Sequence, residues 1–511
     1  MTTGHLEIER KFDVDEAFAL PSLDGTGIGT GIVTVDAPVE HDLEAVYHDT
    51  ADLRLMRARI TLRRRTGGAD AGWHLKLPAG TARRELRAPL GRAVKNPPRG
   101  FLAPVTGILR GAPTGPVATL LTHRLVTVLR DGDGRVLAEV ADDAVTATTL
   151  AAGPDGPALV QAWREVEVEL VHGGEDLLTA VGELLVGAGA RPSASASKVG
   201  RVLAPRLADG DPGTAPGKKR RPRAGEFVVA ALREQVAALQ EADLLLRTEQ
   251  PDAVHQVRVA ARRLRSTLAA FRNVLAGEAT QPIRNELAWL GGQFADARDD
   301  EVALAHLRDV VAAEPDELVL GPVAARLQQT AIREERAGLD RGLDTLADQR
   351  YLRLLDDLYA LMGEPPFTDL AGDPIRPVLR GALRSSVKRL RNHLATARAA
   401  PDAERAEALH AVRKAAKRVR YAAETGTGEL GPAKSLVKAA KKIQTVLGDV
   451  QDTVLTRELC RRFGVVASAD GENAFTYGRL HALEQARAER GEQAFWELEP
   501  KLRATLKRAA R

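Results

Sequence analysis

Charged and apolar residues alternate along several short segments within the first 200 residues of the chain. The clearest of these segments are residues 5–12, 60–65, 73–77, 83–87 and 163–171. Side chains of a strand point alternately to opposite faces, so each segment is predicted to be a strand with one charged and one apolar face. For any one segment taken alone, an edge strand with a solvated charged face explains the pattern equally well.

The distribution of charge among these segments favours a closed sheet. The first and last segments are mostly acidic and the middle ones mostly basic. A sheet with apolar residues outside and both charge signs inside can close around a polar lumen, with helices over its outer face. Lumen carboxylates would repel a phosphate chain unless a cation such as Mg²⁺ or Mn²⁺ lay between them, while Arg and Lys bind the remaining oxygens. The pattern predicts a metal-dependent phosphate site.

The sequence changes character near residue 205. Residues 1–204 also contain predicted strands at 34–39, 45–49, 125–130 and 136–140 and a predicted helix at 175–188, whereas residues 205–225 form a basic linker rich in Pro and Gly. From residue 226 the apolar spacing is helical, and a chain of 511 residues is expected to form two or three domains. Net charge is −4 over residues 1–200 and +8 over the remainder, so the C-terminal half is the better surface for a polyanion.

The helical half contains an internal repeat. The pattern His255-x-x-Arg258-x-x-x-Arg262-Arg263-x-Arg265 recurs 155 residues later as His410-x-x-Arg413-x-x-x-Lys417-Arg418-x-Arg420. An acidic pair follows each copy: Asp296 and Asp299 after the first, Asp449 and Asp452 after the second. Two copies of one supersecondary unit predict two packed helical bundles. Because like charges on one helix face repel, these basic stripes require acidic partners or an external anion.

Composition excludes several classes of protein. No run approaches the roughly 18 uncharged apolar residues of a membrane span, and the N-terminal segment lacks an apolar signal core, so a cytoplasmic protein is expected. The lone cysteine, Cys460, excludes an internal disulfide framework and is predicted to be a partly buried helix thiol.

The charged strands also carry a family resemblance. Glu7-x-Glu9-x-Lys11 resembles the signature of the CYTH superfamily, the triphosphate tunnel metalloenzymes that include thiamine triphosphatases, inorganic triphosphatases and class IV adenylyl cyclases. Further matches follow in the family's order: Tyr47-His-Asp49-Thr50-x-Asp52, Leu62-Arg-Arg-Arg65, Trp73-His-Leu-Lys76, Glu165-Val-Glu167-Val-Glu169 and Ser197-Lys198-x-x-Arg201. The resemblance covers about 200 residues and implies an eight-stranded antiparallel β-tunnel that binds triphosphates with a divalent metal.

The resemblance also implies roles for individual residues of this chain. It implies that the metal-side carboxylates are Glu7, Glu9, Asp143, Glu165 and Glu167, although Asp142 competes with Asp143 for its assignment. The implied catalytic phosphate clamps are Lys11, Arg63, Arg65 and Lys76. The further implied triphosphate contacts are Arg83, Arg124, Arg130, Lys198 and Arg201.

The helical half resembles the CHAD family, whose members often follow a CYTH domain. The His-x-x-Arg helix, its second copy and the turn Leu447-Gly-Asp-Val-Gln-Asp452 carry the resemblance over about 285 residues. It implies two four-helix bundles with a basic groove for inorganic polyphosphate. The candidate polyphosphate contacts are His255, Arg258, Arg262, Arg265, His410, Arg413, Lys417, Arg420, Lys438 and Lys441.

The sequence therefore predicts an α+β multidomain protein with a CYTH-like domain over residues 1–204 and a CHAD-like domain over residues 226–511. The preferred function is Mg²⁺- or Mn²⁺-dependent hydrolysis of inorganic triphosphate or polyphosphate ends, with polyphosphate held by the helical domain. The alternatives are a non-catalytic polyphosphate-binding protein and a tunnel enzyme for a nucleotide or thiamine triphosphate. Expected partners are inorganic triphosphate and polyphosphate, and the expected location is the cytoplasm, in association with polyphosphate granules. Few aromatic residues lie among the basic stripes, so we expect no nucleic acid partner, and no membrane.

Overall fold

The computed structural model describes residues 3–24, 27–28, 31–32, 34–68, 70–80, 82–91, 96–98, 100–150, 158–195, 197–208, 222–431 and 433–509. The chain divides into two compact units, Met1–Gly217 and Lys218–Arg511. The division falls inside the predicted linker, of which residues 209–221 lie outside the described residues. Each unit is described separately below.

The N-terminal unit is built mainly from antiparallel strands. Its strands are β1 (Thr3–Glu7), β2 (Glu9–Val14), β3 (Gly27–Ile28), β4 (Gly31–Ile32), β5 (Thr34–Val35), β6 (Val39–Asp49), β7 (Thr61–Thr66), β8 (Gly72–Ala79), β9 (Ala82–Ala88), β10 (Gly115–Arg130), β11 (Val136–Thr149), β12 (Val160–Leu170) and β13 (Arg191–Pro192). Its helices are α1 (Arg54–Arg57), α2 (Thr106–Leu109), α3 (Glu175–Gly187) and α4 (Lys198–Ala208).

The main sheet is joined end to end by its first segment. Its hydrogen-bonded order is β1-β9-β8-β7-β6-β10-β11-β12-β2-β13. Only Ile8 separates β1 from β2, so one extended segment pairs with β9 through one half and with β12 through the other. This continuity makes the sheet a tunnel of eight long strands. The sheet has eleven described strands, more than the eight expected, because the first strand is split at Ile8 and the short strands β5 and β13 add to it.

Two helices cover the two sides of the sheet. Helix α3 spans almost the same residues as the helix predicted at 175–188. Its buried Leu178 and Val181 pack against the outward-facing Phe12, Val166 and Val168. Helix α4 packs Val199, Val202 and Leu203 against Tyr47, Leu120 and Val145. In the strand register Tyr47 lies opposite Arg63, and directly opposed residues share a face, so α4 packs on the lumen side. It continues through Pro205 into the segment predicted as linker, because this apolar face is buried.

Strands β10 and β11 are much longer than the sequence predicted. They have 16 and 14 residues and are joined by a turn at residues 131–134. Small residues such as Ala141, Ala144 and Thr146 weaken the alternating pattern that marks a strand in sequence. Strand neighbours on both sides nevertheless pair with the backbone of β10 and β11 over most of their length.

The C-terminal unit is helical throughout its described length. Its helices are α5 (Ala224–Arg247), α6 (Ala253–Ala270), α7 (Gln281–Gln293), α8 (Ala295–Ala313), α9 (Val323–Ala347), α10 (Gln349–Gly363), α11 (Ile375–Ala399), α12 (Asp402–Thr425), α13 (Ala433–Ala469) and α14 (Phe475–Ala509). None of the helices in the described ranges has the length and apolar character needed to cross a bilayer.

The repeat seen in the sequence extends over four helices in each copy. A shift of 155 residues places α5 over most of α11, α6 over most of α12 and α9 over most of α14, while α7 and α8 together match the single helix α13. The first copy interrupts its third helix at Phe294 and is followed by one further helix, α10. Helix α6 packs against α12, so the two basic motifs meet.

The lone cysteine lies in the core of the helical unit. Cys460 is fully buried on α13, not partly buried as expected, and packs with Leu304, Leu459 and Tyr477. Burial raises the pKa of its thiol to about 12, so the thiolate is not formed near neutral pH. The geometry gives this residue a packing role.

Candidate functional site

Three buried carboxylates meet inside the N-terminal tunnel. Asp143 on β11 lies directly opposite Glu165 on β12, and Glu167 lies two residues further along the same face. Each offers one oxygen atom, and these three atoms lie within 4.8 Å of one another. The alternation of Glu165-Val-Glu167 places both acids in the lumen, while Val166 and Val168 pack outside under α3.

A ring of cations surrounds this carboxylate group. The Lys198 ammonium lies 2.9 Å from Asp143, 2.7 Å from Glu165 and 2.6 Å from Glu167. The Arg124 guanidinium donates to both oxygens of Asp143 at 2.7 and 2.6 Å and to Glu167 at 2.8 Å. Lys11 also donates to Glu167, and it contacts Glu9 at 3.1 Å. Every acid of the group therefore has a basic partner.

The electrostatic balance keeps Asp143 and Glu167 ionised. Burial acts to raise the pKa of Glu167, but Lys11, Lys198 and Arg124 together lower it well below its ordinary value. The pKa of Asp143 is lowered in the same way, against burial, by Lys198 and Arg124. Conversely, the carboxylates raise the pKa of Lys198 against its own desolvation. Asp143, Glu167 and Lys198 are therefore fixed charges near neutral pH.

A second charged cluster centres on Glu85 of β9. This fully buried carboxylate accepts from His74 at 2.9 Å, lies 3.6 Å from Arg63 and 3.8 Å from Lys76, and also accepts from Arg87. Burial opposes ionisation, yet hydrogen bonding to His74 and the nearby cations lower the pKa of Glu85 far below its ordinary value. In sequence its only signal is its alternation with Arg83 and Arg87, and it was missing from the predicted site.

Glu7 and Glu9 lie in the lumen, as the sequence predicts, but outside the three-carboxylate group. Glu7 is buried and accepts from Lys76, so it belongs to the cluster around Glu85. Desolvation raises the pKa of Glu7 despite that contact. Glu9 pairs with Lys11. Within the part of the chain that the structure describes, the carboxylate set with metal-binding spacing consists of Asp143, Glu165 and Glu167.

The structure separates the two aspartates that competed for one assignment. Asp143 faces the lumen, whereas Asp142 pairs with Arg164 at 2.9 and 2.6 Å on the opposite face of β11. One residue of register decides the difference, since neighbouring strand residues point to opposite faces.

The remaining predicted phosphate contacts are spread over the tunnel. Arg65 pairs with Asp70, and Arg83 lies opposite Glu7 in the β1–β9 register. Arg201 contacts Asp13 at 2.9 Å and stacks over Trp163. Arg130 lies apart from both clusters, because the end of β10 brings it to Asp36 and to the hairpin carbonyl of Gly134.

The carboxylate group fits a hard divalent cation. Mg²⁺ and Mn²⁺ prefer oxygen ligands, and carboxylates are their usual protein donors. The three acids are nearly inaccessible to solvent and close enough to share one ion. The donor set therefore suits a divalent metal.

The helical unit contains a large cavity where the two basic motifs meet. It has a volume of about 1670 Å³. Eight of the ten predicted polyphosphate contacts line it: His255, Arg258, Arg262, Arg265, His410, Arg413, Lys417 and Arg420. Lys438 and Lys441 are exposed on α13 outside this lining, because they lie on the side of the helix that faces solvent. Five lining cations were missing from the predicted set: Arg272 just after α6, Arg284 of α7, Arg389 of α11, and Lys414 and Arg418 of α12.

Like charges dominate this cavity. Burial and then Arg413, Arg262 and Arg258 lower the pKa of Lys417 to about 7. Burial and neighbouring arginines likewise lower the pKa of Arg265. Asp299 partly balances these charges through its contact with Arg258 at 2.9 Å, while the side chain of Asp296 lies outside the described residues. The buried Nε atom of Arg413 has no hydrogen-bond acceptor in the described structure.

Comparison with known proteins agrees with this division. Residues 5–193 match the model of the CYTH domain, and residues 230–461 match the model of the CHAD domain. The chain is 41% identical over 499 residues to the uncharacterized proteins MT2285 and Rv2226 of two strains of Mycobacterium tuberculosis, covering 95% of this chain and 94% of each relative.

Solved structures provide partial matches. PptA from Streptomyces chartreusis is 23% identical with a TM-score of 0.45, over 54% of this chain and 98% of that one. The CHAD domain from the plant Ricinus communis is 25% identical with a TM-score of 0.43, over 58% and 97%. From the family models and the mycobacterial relatives, the chain belongs to the CYTH–CHAD proteins: a domain of the triphosphate tunnel metalloenzyme family followed by a CHAD domain.

Proposed function

We propose that the tunnel hydrolyses phosphoanhydride bonds of inorganic triphosphate, or of polyphosphate ends, with Mg²⁺ or Mn²⁺. The observation that carries the proposal is the buried group of Asp143, Glu165 and Glu167 within a lumen also lined by Lys11 and Arg124. Carboxylates alone would repel a triphosphate, and cations alone would bind it without an obvious place for a metal. Both sets together suit a phosphate chain that shares a cation with the protein.

The residues of the chain divide the work according to their position. Asp143, Glu165 and Glu167 would hold the metal, which when bound supplies charge neutralisation and an activated water. Lys11, Arg63, Lys76 and Arg124 would orient the phosphate oxygens and stabilise the charge that develops on the leaving phosphate. The arrangement requires no histidine or cysteine nucleophile.

We further propose that the cavity of the helical unit binds inorganic polyphosphate. Its lining cations lie near one another with few carboxylates between them, and burial together with this mutual repulsion lowers the pKa of Lys417. A flexible polyanion would relieve that repulsion and supply acceptors to donors such as the Nε atom of Arg413. The cavity would then hold a polyphosphate chain, and the ends of such chains belong to the substrate class proposed for the tunnel.

Turnover measured on several substrates in parallel tests the catalytic proposal. Full-length protein is assayed for phosphate release from inorganic triphosphate, ATP, thiamine triphosphate and long polyphosphate, with Mg²⁺, with Mn²⁺ and with a chelator. We expect metal-dependent release from triphosphate or polyphosphate exceeding that from ATP and thiamine triphosphate. Preference for ATP or thiamine triphosphate would assign a different substrate, and the absence of release from all four would leave binding as the function.

A further inference from the structure

The ammonium group of Lys198 occupies the centre of the carboxylate group. It lies within 2.9 Å of one oxygen atom from each of Asp143, Glu165 and Glu167. The same three residues form the donor set whose carboxylate oxygens have metal-binding spacing. A divalent ion coordinated by the three acids would lie about 2.0–2.6 Å from each oxygen. That position overlaps the ammonium, so both cations cannot occupy it together.

Charge balance leads to the same conclusion. The cluster contains four carboxylates and three cations, namely Glu9, Asp143, Glu165 and Glu167 with Lys11, Arg124 and Lys198. Adding a divalent ion while Lys198 stays would leave five positive charges against four negative ones. Replacing the ammonium by the ion gives four against four. Uncompensated charge is costly in a buried site, so exchange is favoured over addition.

The attachment of Lys198 allows such an exchange. Lys198 is the first residue of α4, and the next turns of that helix are anchored by the buried residues Val199, Val202 and Leu203. The backbone is therefore held by packing, while the side chain has four rotatable carbon–carbon bonds. The ammonium can withdraw from the carboxylates without movement of the helix.

We propose that Lys198 is a competing cation that keeps divalent metal out of the carboxylate group until a triphosphate arrives to receive the displaced ammonium. The metal would thus enter together with its phosphate ligand, because the anion accepts the charge that the metal displaces. This inference rests on the metal site of the proposed function and adds a residue that sets the order of binding.

Binding of Mn²⁺ alone, without any triphosphate, tests the inference. The free Mn²⁺ signal in electron paramagnetic resonance reports the affinity of the full-length protein, so no turnover is needed. Loss of the competing charge in Lys198→Met should tighten Mn²⁺ binding by about tenfold or more. Lys198→Arg keeps the charge and should bind as weakly as wild type. Arg206→Met removes a charge from α4 away from the carboxylates and serves as the matched control.

A thermal measurement covers the case in which Lys198→Met weakens the fold. Removing the ammonium leaves three acids without that partner, so Mn²⁺ should raise the Tm of this variant more than that of wild type. Equal Mn²⁺ affinity in wild type and Lys198→Met, with equal Tm shifts, would overturn the inference and leave the metal site intact. Absence of Mn²⁺ binding in all variants would instead overturn the metal site and the inference with it.

Discussion

The tunnel and the helical cavity are both rich in Lys and Arg, yet the pKa values of these residues shift in opposite directions in the two sites. In the tunnel, carboxylates raise the pKa of Lys11 and Lys198 against the effect of burial. In the cavity, burial and neighbouring cations lower the pKa of Lys417 and Arg418. In the tunnel, carboxylates and cations neutralise one another, so a ligand binds by replacing these internal ion pairs. The cavity has few carboxylates, such as Asp299, for its many cations, and would gain further negative charge only from a ligand.

This difference indicates two kinds of recognition. A neutralised site with a small carboxylate group selects the metal and phosphate geometry that can replace its internal ion pairs. A cavity of repelling cations attracts any polyanion that reaches it, with an affinity that salt reduces. The first is suited to chemistry on one phosphoanhydride and the second to retention of a long chain.

The largest expected effect comes from neutralising the carboxylates of the tunnel. Glu165→Gln with Glu167→Gln should reduce metal-dependent phosphate release from triphosphate by about a thousandfold, because the metal loses two of its three donors. Polyphosphate binding by the cavity, measured with a chelator present, should stay within twofold or so of wild type. Glu183→Gln, which removes a carboxylate exposed on α3, is the control for surface charge. Wild-type turnover in the double variant would contradict the assigned site.

The second-largest expected effect is on polyphosphate binding, and it distinguishes the role of the cavity from that of the tunnel. Replacing Arg258, Arg262, Arg413 and Lys417 together by Gln should weaken binding of long polyphosphate by about a hundredfold at low salt, with triphosphate hydrolysis unchanged. If each removed cation contacts one phosphate, the slope of log affinity against log salt should also fall by about 3. Fluorescence anisotropy of labelled polyphosphate with a chelator present measures both quantities.

A matched control for this variant is available on α11. Arg380, Arg384, Lys388 and Arg391 are four exposed cations outside the lining of the cavity. Their replacement by Gln changes net charge equally, so a comparable loss of affinity would mean that overall charge, and not the cavity, binds the chain.

A smaller change in polyphosphate affinity is expected when the pH is varied. Because the pKa of Lys417 is lowered to about 7 in the free cavity, and a bound anion would raise it, binding takes up a proton. Affinity for polyphosphate should therefore fall by about three- to tenfold as pH rises from 6 to 8.5. Burial and Lys414 lower the pKa of His410. Protonation of His410 on binding should therefore add to the fall in polyphosphate affinity with rising pH, at pH values below the ordinary pKa of histidine. Lys417→Arg stays charged and should lose most of the dependence above pH 7, and an unchanged profile would exclude Lys417 as its source.

A further comparison concerns the stability of the two regions. Replacing one charged member of the tunnel cluster by Glu167→Gln should lower the free energy of unfolding by about 3 kcal/mol, because buried cations lose their partner. Lys417→Met should instead leave stability unchanged or raise it. Since the folded pKa of Lys417 lies below its unfolded value, the wild type loses stability as pH falls from that unfolded value toward 7 and levels off below 7, where the gain from the variant should be greatest. Urea unfolding at pH 6 and pH 8.5 measures both variants.

Much of this architecture could be predicted from local pattern. Alternation in Glu165-Val-Glu167-Val-Glu169 places acids and valines on opposite faces whatever the strand pairs with, and the lumen position of Glu167 follows. The repeat of His255 and Arg258 as His410 and Arg413 predicted two related bundles because helical spacing fixes which residues share a face.

Other features depended on which strands and helices become neighbours. Glu7 and Glu167 are equally acidic in sequence, but β1 pairs with β9 and β2 with β12, so Glu7 meets Lys76 and Glu167 meets Lys11. Lys438 shares its spacing with the cavity residues yet faces solvent, whereas Arg389 reaches the cavity from α11.

The sequence by itself determined the periods, the charged faces, the repeat and the place where one domain gives way to the next, because these are properties of neighbouring residues. Only the tertiary structure decided that Asp143, Glu165 and Glu167 form one group with Lys198 at its centre. The physical reason is that strand register and the packing of α4 bring together residues up to 55 positions apart in the chain, and no local pattern records that distance.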